Sequence, residues 1–125
     1  MTDREKDDVL REFIARMQEI RGMQPTEAGI QALKADVGYL LEVAERDTGQ
    51  SVRVRNFLLA WWNAEECGGF DLTDLWKLDM EIVEAMQRIL FVLPSYQFYP
   101  DRLGYGERFE RLARQRIAAT HGTKQ

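Results

Sequence analysis

Apolar side chains recur at every third or fourth position in five stretches of the chain, which is the spacing of one face of an α-helix. The first stretch predicts a helix from about residue 3 to 21, and its apolar stripe consists of Val9, Leu10, Phe13, Ile14, Met17 and Ile20. The second stretch predicts a helix from about Thr26 to Arg46. Gly22 and the Asp47-Thr48-Gly49 segment end these two helices.

The third stretch is apolar around most of its circumference. Ser51 is a plausible N-cap, and the Gly68-Gly69 pair ends the helix. Trp61 lies on the main apolar face, whereas Trp62 falls about 100° away on a helical wheel. A helix that is apolar on so many sides is usually packed on two of them. This helix is therefore predicted to be central, with Trp61 in the core.

Aspartate, proline and glycine residues mark where the remaining helices begin and end. FDLTDLWKLD predicts a short helical turn, after which Asp79 is the N-cap of a fourth helix that Pro94 closes. Two prolines make a regular helix improbable between Pro94 and Pro100, so this segment is predicted to be an aromatic loop. A last helix is predicted from about Gly104 to Ala119.

These elements predict an all-α fold, a compact bundle of about five helices plus a short helical turn, with the aromatic loop before the last helix. The 125 residues are of single-domain size, so residues 1–125 are predicted to form one helical domain with disorder at 1–3 and 120–125. Hydrophobic residues make up 45% and charged residues 30% of the chain, which are ordinary globular values.

The composition limits which disulfide, metal and catalytic sites the chain can form. The chain has one cysteine, Cys67, and one histidine, His121, so no intramolecular disulfide and no Cys/His zinc cluster is expected. No nucleophile-base pair or phosphate-binding glycine loop is recognisable, so we expect a protein that is not an enzyme, with no cofactor and no metal. The charged amino terminus and the lack of a long apolar run predict a cytoplasmic protein that does not enter membranes.

Glu65 and Arg116 each fall on the apolar face of their predicted helix. A charge on such a face is less costly to bury when it is paired, so a partly buried ion pair between the two is one hypothesis. A functional carboxylate at Glu65 is the alternative.

The last helix carries a basic face formed by Arg108, Arg111 and Arg114. The formal net charge of −4 disfavours general nucleic-acid binding, but residues 102–125 hold six basic and two acidic residues, a local charge of +4. This face indicates either a nucleic-acid contact or a solvated surface on which Glu107 and Glu110 pair with Arg111 and Arg114.

Aromatic residues are abundant for so short a chain: three Trp, four Tyr and six Phe. Several of them lie off the predicted apolar stripes and are candidates for binding a partner, namely Trp62, Trp76, Tyr96, Phe98 and Tyr99. Aromatic side chains on rigid elements commonly anchor protein interfaces. The alternative is that Trp62 and Trp76 are ordinary core residues and that the loop plugs one end of the bundle.

Two blocks, VRNFLLAWWNAEECGGFDLTDLWKLD at residues 54–79 and YPDRLGYG at residues 99–106, carry a resemblance. They resemble the signature of a small family of uncharacterised proteobacterial proteins found on plasmids, integrative elements and prophages. The resemblance implies a cytoplasmic accessory protein of a mobile element and brings no catalytic residues with it.

We therefore expect a non-enzymatic interaction or regulatory protein that binds a host or element protein or ribonucleoprotein, with an anti-defence protein such as a CRISPR inhibitor as one form. A protein partner or a homodimer is the expected assembly. The alternative is a small nucleic-acid-binding regulator that uses the arginine-rich last helix.

Overall fold

A computed structural model describes residues 2–22 and 24–123, and it is all-helical over these residues, as the sequence predicts. Five α-helices and two short 3₁₀ helices follow one another along the chain. The α-helices are α1 (Asp3–Gly22), α2 (Glu27–Ala44), α3 (Gly49–Cys67), α4 (Met80–Val92) and α5 (Gly106–Thr123). The first 3₁₀ helix spans Leu72–Lys77 and the second spans Pro100–Leu103.

Four of the α-helices form the body of the molecule. α2 packs against both α3 and α4, and α3 also packs against α5. The centre of the core consists of the larger apolar side chains of these helices that are at most 1% exposed: Val37, Leu40 and Leu41 of α2, Val54, Leu58 and Leu59 of α3, Met86 and Ile89 of α4, and Phe109 and Leu112 of α5. The prediction that α3 packs on two sides is confirmed, and α2 does the same.

Helix α3 begins earlier than the sequence pattern suggests. Thr48, not Ser51, is the N-cap, and its side-chain oxygen accepts a hydrogen bond from the backbone N–H of Ser51 at 3.1 Å. The Ser51 hydroxyl oxygen in turn accepts from the Thr48 backbone N–H at 3.2 Å. This reciprocal capping box satisfies two N–H groups and places the buried Ser51 in the first turn of the helix.

Asp79 is the N-cap of α4, as predicted, but its carboxylate does not cap the helix by a hydrogen bond. It binds Gln50 of α3 instead. The Asp79 backbone N–H donates to Gln50 Oε1 at 2.7 Å, and Gln50 Nε2 donates to Asp79 Oδ2 at 3.0 Å. This two-point contact joins the start of α4 to the first turn of α3.

Helix α1 is present as predicted, but its apolar stripe is not packed into the bundle. α1 makes at most marginal contact with the other helices. The side chains of Val9, Leu10, Phe13 and Ile14 are between 46% and 59% exposed. The core of the described residues is therefore formed without α1.

The aromatic segment is non-helical from Pro94 to Tyr99, which confirms the predicted loop. The second 3₁₀ helix follows it, and its C-cap is Gly104, whose φ of +95° is in the left-handed region that favours glycine. α5 accordingly starts at Gly106 rather than Gly104 and continues to Thr123. The predicted disorder at 1–3 and 120–125 falls partly on residues 1, 124 and 125, which lie outside the described residues.

Candidate interaction surface

The most exposed large apolar side chains of the described residues lie within one nine-residue segment. Trp76 is 83% exposed, Leu72 is 71% exposed and Met80 is 68% exposed. They follow one another at intervals of four residues, Leu72 and Trp76 in the first 3₁₀ helix and Met80 as the first residue of α4. We call these three residues the Trp76 surface.

The backbone beneath the Trp76 surface is held on both sides. Asp71 caps the 3₁₀ helix by accepting from the backbone N–H of Thr73 at 2.9 Å. Asp74 forms an ion pair with Arg53 of α3, with Nε and Oδ1 3.4 Å apart. The half-buried Leu75 and Leu78, which follow Asp74 in the chain, pack against the core. Trp76 is therefore displayed on an anchored segment rather than on a free loop.

The predicted aromatic loop divides into buried and exposed residues. Tyr96 is buried and Phe98 is half-buried, with their ring centroids 6.2 Å apart. The Arg102 guanidinium lies 5.3 Å from the Phe98 ring centroid, a cation–π contact. Of the three aromatic residues, only Tyr99 is largely exposed. The loop thus closes one side of the body through Tyr96 and Phe98, and Tyr99 is its one aromatic side chain open to a partner.

Trp62, unlike Trp76, is not largely exposed. Its ring is half-buried and lies 6.0 Å from the ring of Phe109 on α5. Trp61 is also half-buried, packed against the core beside Leu93 and the aromatic loop. Both neighbouring tryptophans therefore pack against the core. Trp62 is half-buried whereas Trp76 is exposed, so the two predicted partner-binding tryptophans lie in different environments.

Glu65 and Arg116 do not form the predicted partly buried pair of charges. Asn63 has φ −162° and ψ 77°, so α3 is kinked there, and its amide oxygen accepts from the Glu66 backbone N–H at 3.3 Å. The kink changes the direction of the last turn, so a helical wheel drawn through it misplaces Glu65, which is exposed. The half-buried Arg116 donates to Asn56 Oδ1 instead.

On the predicted basic face, Arg108 is paired with Glu45 of α2. Arg108 Nε donates to Glu45 Oε2 at 3.0 Å, and its guanidinium lies 5.3 Å from the Tyr105 ring centroid. The hydrogen bond lowers the pKa of the Glu45 carboxyl, opposed by partial burial, and the same bond raises the pKa of Arg108. Arg111 and Arg114 are exposed, so two of the three arginines remain on an open face.

The single cysteine and the acidic side chains are the remaining groups that could carry chemistry. Cys67 is buried, and this burial raises the pKa of its thiol, an effect that the positive charge of Arg116 partly opposes. Residues 2–22 and 24–123 contain no group of three or more His, Cys, Asp or Glu side chains placed to hold a metal ion. Within the same residues, no helix is both long enough and apolar enough to span a membrane.

Sequence reasoning named Trp76 but missed Leu72 and Met80. The sequence offers little signal for them, because a spacing of four does not define one face in a 3₁₀ helix, which has three residues per turn. Sequence reasoning also missed a groove of about 470 Å³ between α2 and α4, with Ala32, Leu33 and Phe91 among its lining residues. Grooves depend on how helices pack, so no local pattern marked this one.

A scan against protein-family models matches residues 34–117 to a family of unknown function, DUF7673. This segment runs from α2 into α5 and contains the Trp76 surface, while α1 lies outside it. Neither the curated proteins nor the solved structures contain a match to the chain. Since the family model covers more than half of the sequence, the chain belongs to the DUF7673 family.

Proposed function

We propose that this chain is a non-enzymatic interaction protein that binds a protein or ribonucleoprotein through the Trp76 surface. The observation that carries the proposal is a tryptophan 83% exposed on an anchored segment. Tryptophan is the residue type most enriched among energetically dominant interface positions. A backbone segment that is anchored before binding also loses little conformational freedom on association.

The neighbours of Trp76 support the same function. Leu72 and Met80 are largely exposed apolar side chains of the same segment, and methionine adapts its shape to irregular partner surfaces. Asp71 and Lys77 are exposed charged residues of the same segment and give it a polar rim. An apolar centre with a polar rim is the usual arrangement of a protein-binding patch.

The class of partner is proposed from charge and from the resemblance given above. The net charge of −4 favours association with a basic partner, and proteins that carry nucleic acid have basic channels. The resemblance to mobile-element proteins supports a bacterial host or element protein in the cytoplasm as the partner. Inhibition of a CRISPR ribonucleoprotein is one specific form of this proposal.

The test compares the Trp76→Ala variant with wild type and with Ile117→Ala, which removes an apolar side chain 46% exposed on α5. Each immobilised protein is exposed to bacterial lysate, and a specific partner is one captured by wild type and Ile117→Ala but lost with Trp76→Ala. The purified partner should bind Trp76→Ala at least about 30-fold more weakly, as expected for an interface anchor. Equal affinity of all three proteins would refute the proposal.

Nucleic-acid binding is a second candidate, supported by the exposed Arg111 and Arg114. It is less favoured because Arg108 is already paired with Glu45. In a mobility-shift assay at low salt, the Arg111→Ala/Arg114→Ala variant should bind DNA or RNA more weakly, with a salt slope reduced by about two. Binding that is absent in wild type, or unchanged in the variant, rejects this candidate.

A further inference from the structure

We propose that the Trp76 surface binds an arginine-rich segment of its protein partner, with a guanidinium on the Trp76 ring and flanking basic residues beside the carboxylates of residues 70–84. This inference rests on the proposed function and names the chemistry of the partner. Three observations carry it: the position of the charge along the chain, the state of the carboxylates, and a matching arrangement that the chain forms at Arg108.

The net negative charge of the chain lies in the fifteen residues around Trp76. Residues 70–84 contain five acidic residues and one basic residue, a local charge of −4, which equals the net charge of the whole chain. The other 110 residues contain 16 acidic and 16 basic residues and are neutral overall. The exposed tryptophan therefore lies within the one segment whose charge would attract a basic partner.

Most of these carboxylates are open to a cation from outside the chain. Asp71, Asp79 and Glu81 are exposed, and none of the ion pairs in the described part of the chain includes them. Asp74 differs, because it pairs with Arg53. The pairing of Asp74 anchors the segment, and the other three carboxylates keep their charge for a ligand.

Two of these charges are well defined near the ring. The Thr73 hydroxyl and backbone N–H donate to Asp71 at 2.8 and 2.9 Å, and these bonds lower the pKa of Asp71, with a smaller effect of Lys77 in the same direction. Asp71 is therefore ionised at neutral pH. Asp79 is three residues from Trp76, so their Cα atoms are at most about 11 Å apart, close to the screening length of about 8–10 Å at physiological salt.

Carboxylates alone specify no ligand, but a carboxylate and an aromatic ring together suit a guanidinium. Arg108 shows this within the chain: its guanidinium lies 5.3 Å from the Tyr105 ring centroid while its Nε donates to the Glu45 carboxylate at 3.0 Å. A guanidinium is planar and weakly hydrated, and tryptophan is the ring that binds cations best. No cation of residues 2–22 and 24–123 lies over the Trp76 ring, so an arginine of the partner would complete the arrangement.

The first test titrates the full chain with a short capped peptide of alternating arginine and leucine, followed by the tryptophan indole N–H signals in NMR spectra. The peptide should shift the Trp76 signal, which is identified by its loss in Trp76→Tyr. Trp76→Leu should weaken binding at least about 10-fold, and Trp76→Tyr, which keeps a ring, should weaken it less. Wild-type affinity in Trp76→Leu would overturn the proposal, as would equal or tighter binding of the matching lysine peptide.

The second test separates local charge from net charge. Asp71→Asn/Glu81→Gln removes two carboxylates near Trp76, whereas Asp7→Asn/Asp8→Asn removes two from α1 and changes the net charge equally. At low salt the first variant should bind the arginine peptide about 5-fold more weakly and the second should change affinity less than about twofold. Equal losses would overturn the proposal.

Failure of this inference differs from failure of the proposed function. A lysate partner that Trp76→Ala loses, together with no binding of the arginine peptide, would reject the arginine-rich ligand and keep the proposed function. Binding of the peptide at Trp76 without any lysate partner would support the chemistry of the surface and contradict the proposed function.

Discussion

The close approach of Tyr96 to Gly29 gives the sharpest prediction for the stability of the body. A Cβ built on Gly29 of α2 would lie 2.0 Å from the Tyr96 hydroxyl oxygen and 3.1 Å from Tyr96 Cζ. Ordinary contact begins at 3.4 Å, so the ring would have to move by roughly 1.4 Å. Tyr96 is buried and its backbone is held by a hydrogen bond to Val92 at 2.8 Å, so this movement disturbs packing.

The magnitude follows from two opposed effects in Gly29→Ala. Overpacking of a buried site costs about 1–3 kcal/mol. Alanine in place of glycine inside a helix recovers up to about 1 kcal/mol of helix propensity. We therefore expect Gly29→Ala to lower the free energy of unfolding by about 1–2 kcal/mol, which corresponds to a melting temperature lower by about 3–8 °C. Denaturant and thermal unfolding followed by circular dichroism measure both quantities.

The control removes the clashing atom. In a Tyr96→Phe background the hydroxyl is absent and the nearest ring atom lies 3.1 Å from the added Cβ, so Gly29→Ala should cost less than about 0.5 kcal/mol there. Gly106→Ala on α5, where the nearest atom is 3.9 Å away, should be neutral or slightly stabilising. An equal cost of Gly29→Ala in both backgrounds would show that the hydroxyl contact is not the cause.

Three further predictions concern contacts between helices. Gln50→Ala should lower the free energy of unfolding by about 0.5–1.5 kcal/mol in denaturant titrations, because it removes the two hydrogen bonds that join Asp79 to α3 at an exposed site. Glu45→Gln should cost up to about 1 kcal/mol at pH 7 and less at pH 3. The Arg108 bond lowers the folded-state pKa of Glu45, so its stabilisation is present above the ordinary pKa of 4.5 and is lost as pH falls through the lowered value. Trp61→Ala should cost about 2–3 kcal/mol by thermal unfolding, less than for a fully buried tryptophan, because Trp61 is only half-buried.

The helices were predictable because each depends on local periodicity and on caps. Gly22, Pro25 and Pro94 mark helix ends clearly in the sequence. The observed helix boundaries differ from the predicted ones by only a few residues. The start of α3 was displaced because Thr48 and Ser51 are both good capping residues, and only the reciprocal pair of hydrogen bonds distinguishes them. When two capping residues are equally suitable, the sequence alone does not decide which of them is the N-cap.

Errors in side-chain placement came from assuming that a helix is straight. The prediction for Glu65 used the wheel angle of a regular α3, and the extended backbone at Asn63 invalidates that angle for the final turn. Asn63 Oδ1 accepts from the Glu66 backbone N–H, as an N-cap does at the start of a helix. An asparagine within an apolar helix is only a weak signal for such a kink, because asparagine is also tolerated at solvent-exposed positions in the middle of helices.

The candidate surfaces were harder to predict than the fold because an apolar stripe does not specify what covers it. The stripe of α1 and the core stripe of α4 have the same helical spacing, yet Leu10 and Phe13 are exposed while Met86 and Ile89 are buried. The difference is set by how many helix faces the core of α2 and α3 can accommodate, which is a property of tertiary packing. Once α4 and α5 occupy those faces, α1 is left with an apolar face that folding of one chain does not cover. Mutations in the exposed stripe of α1, such as Phe13→Ala, should therefore lower the thermal midpoint of the body much less than mutations of Met86 or Ile89.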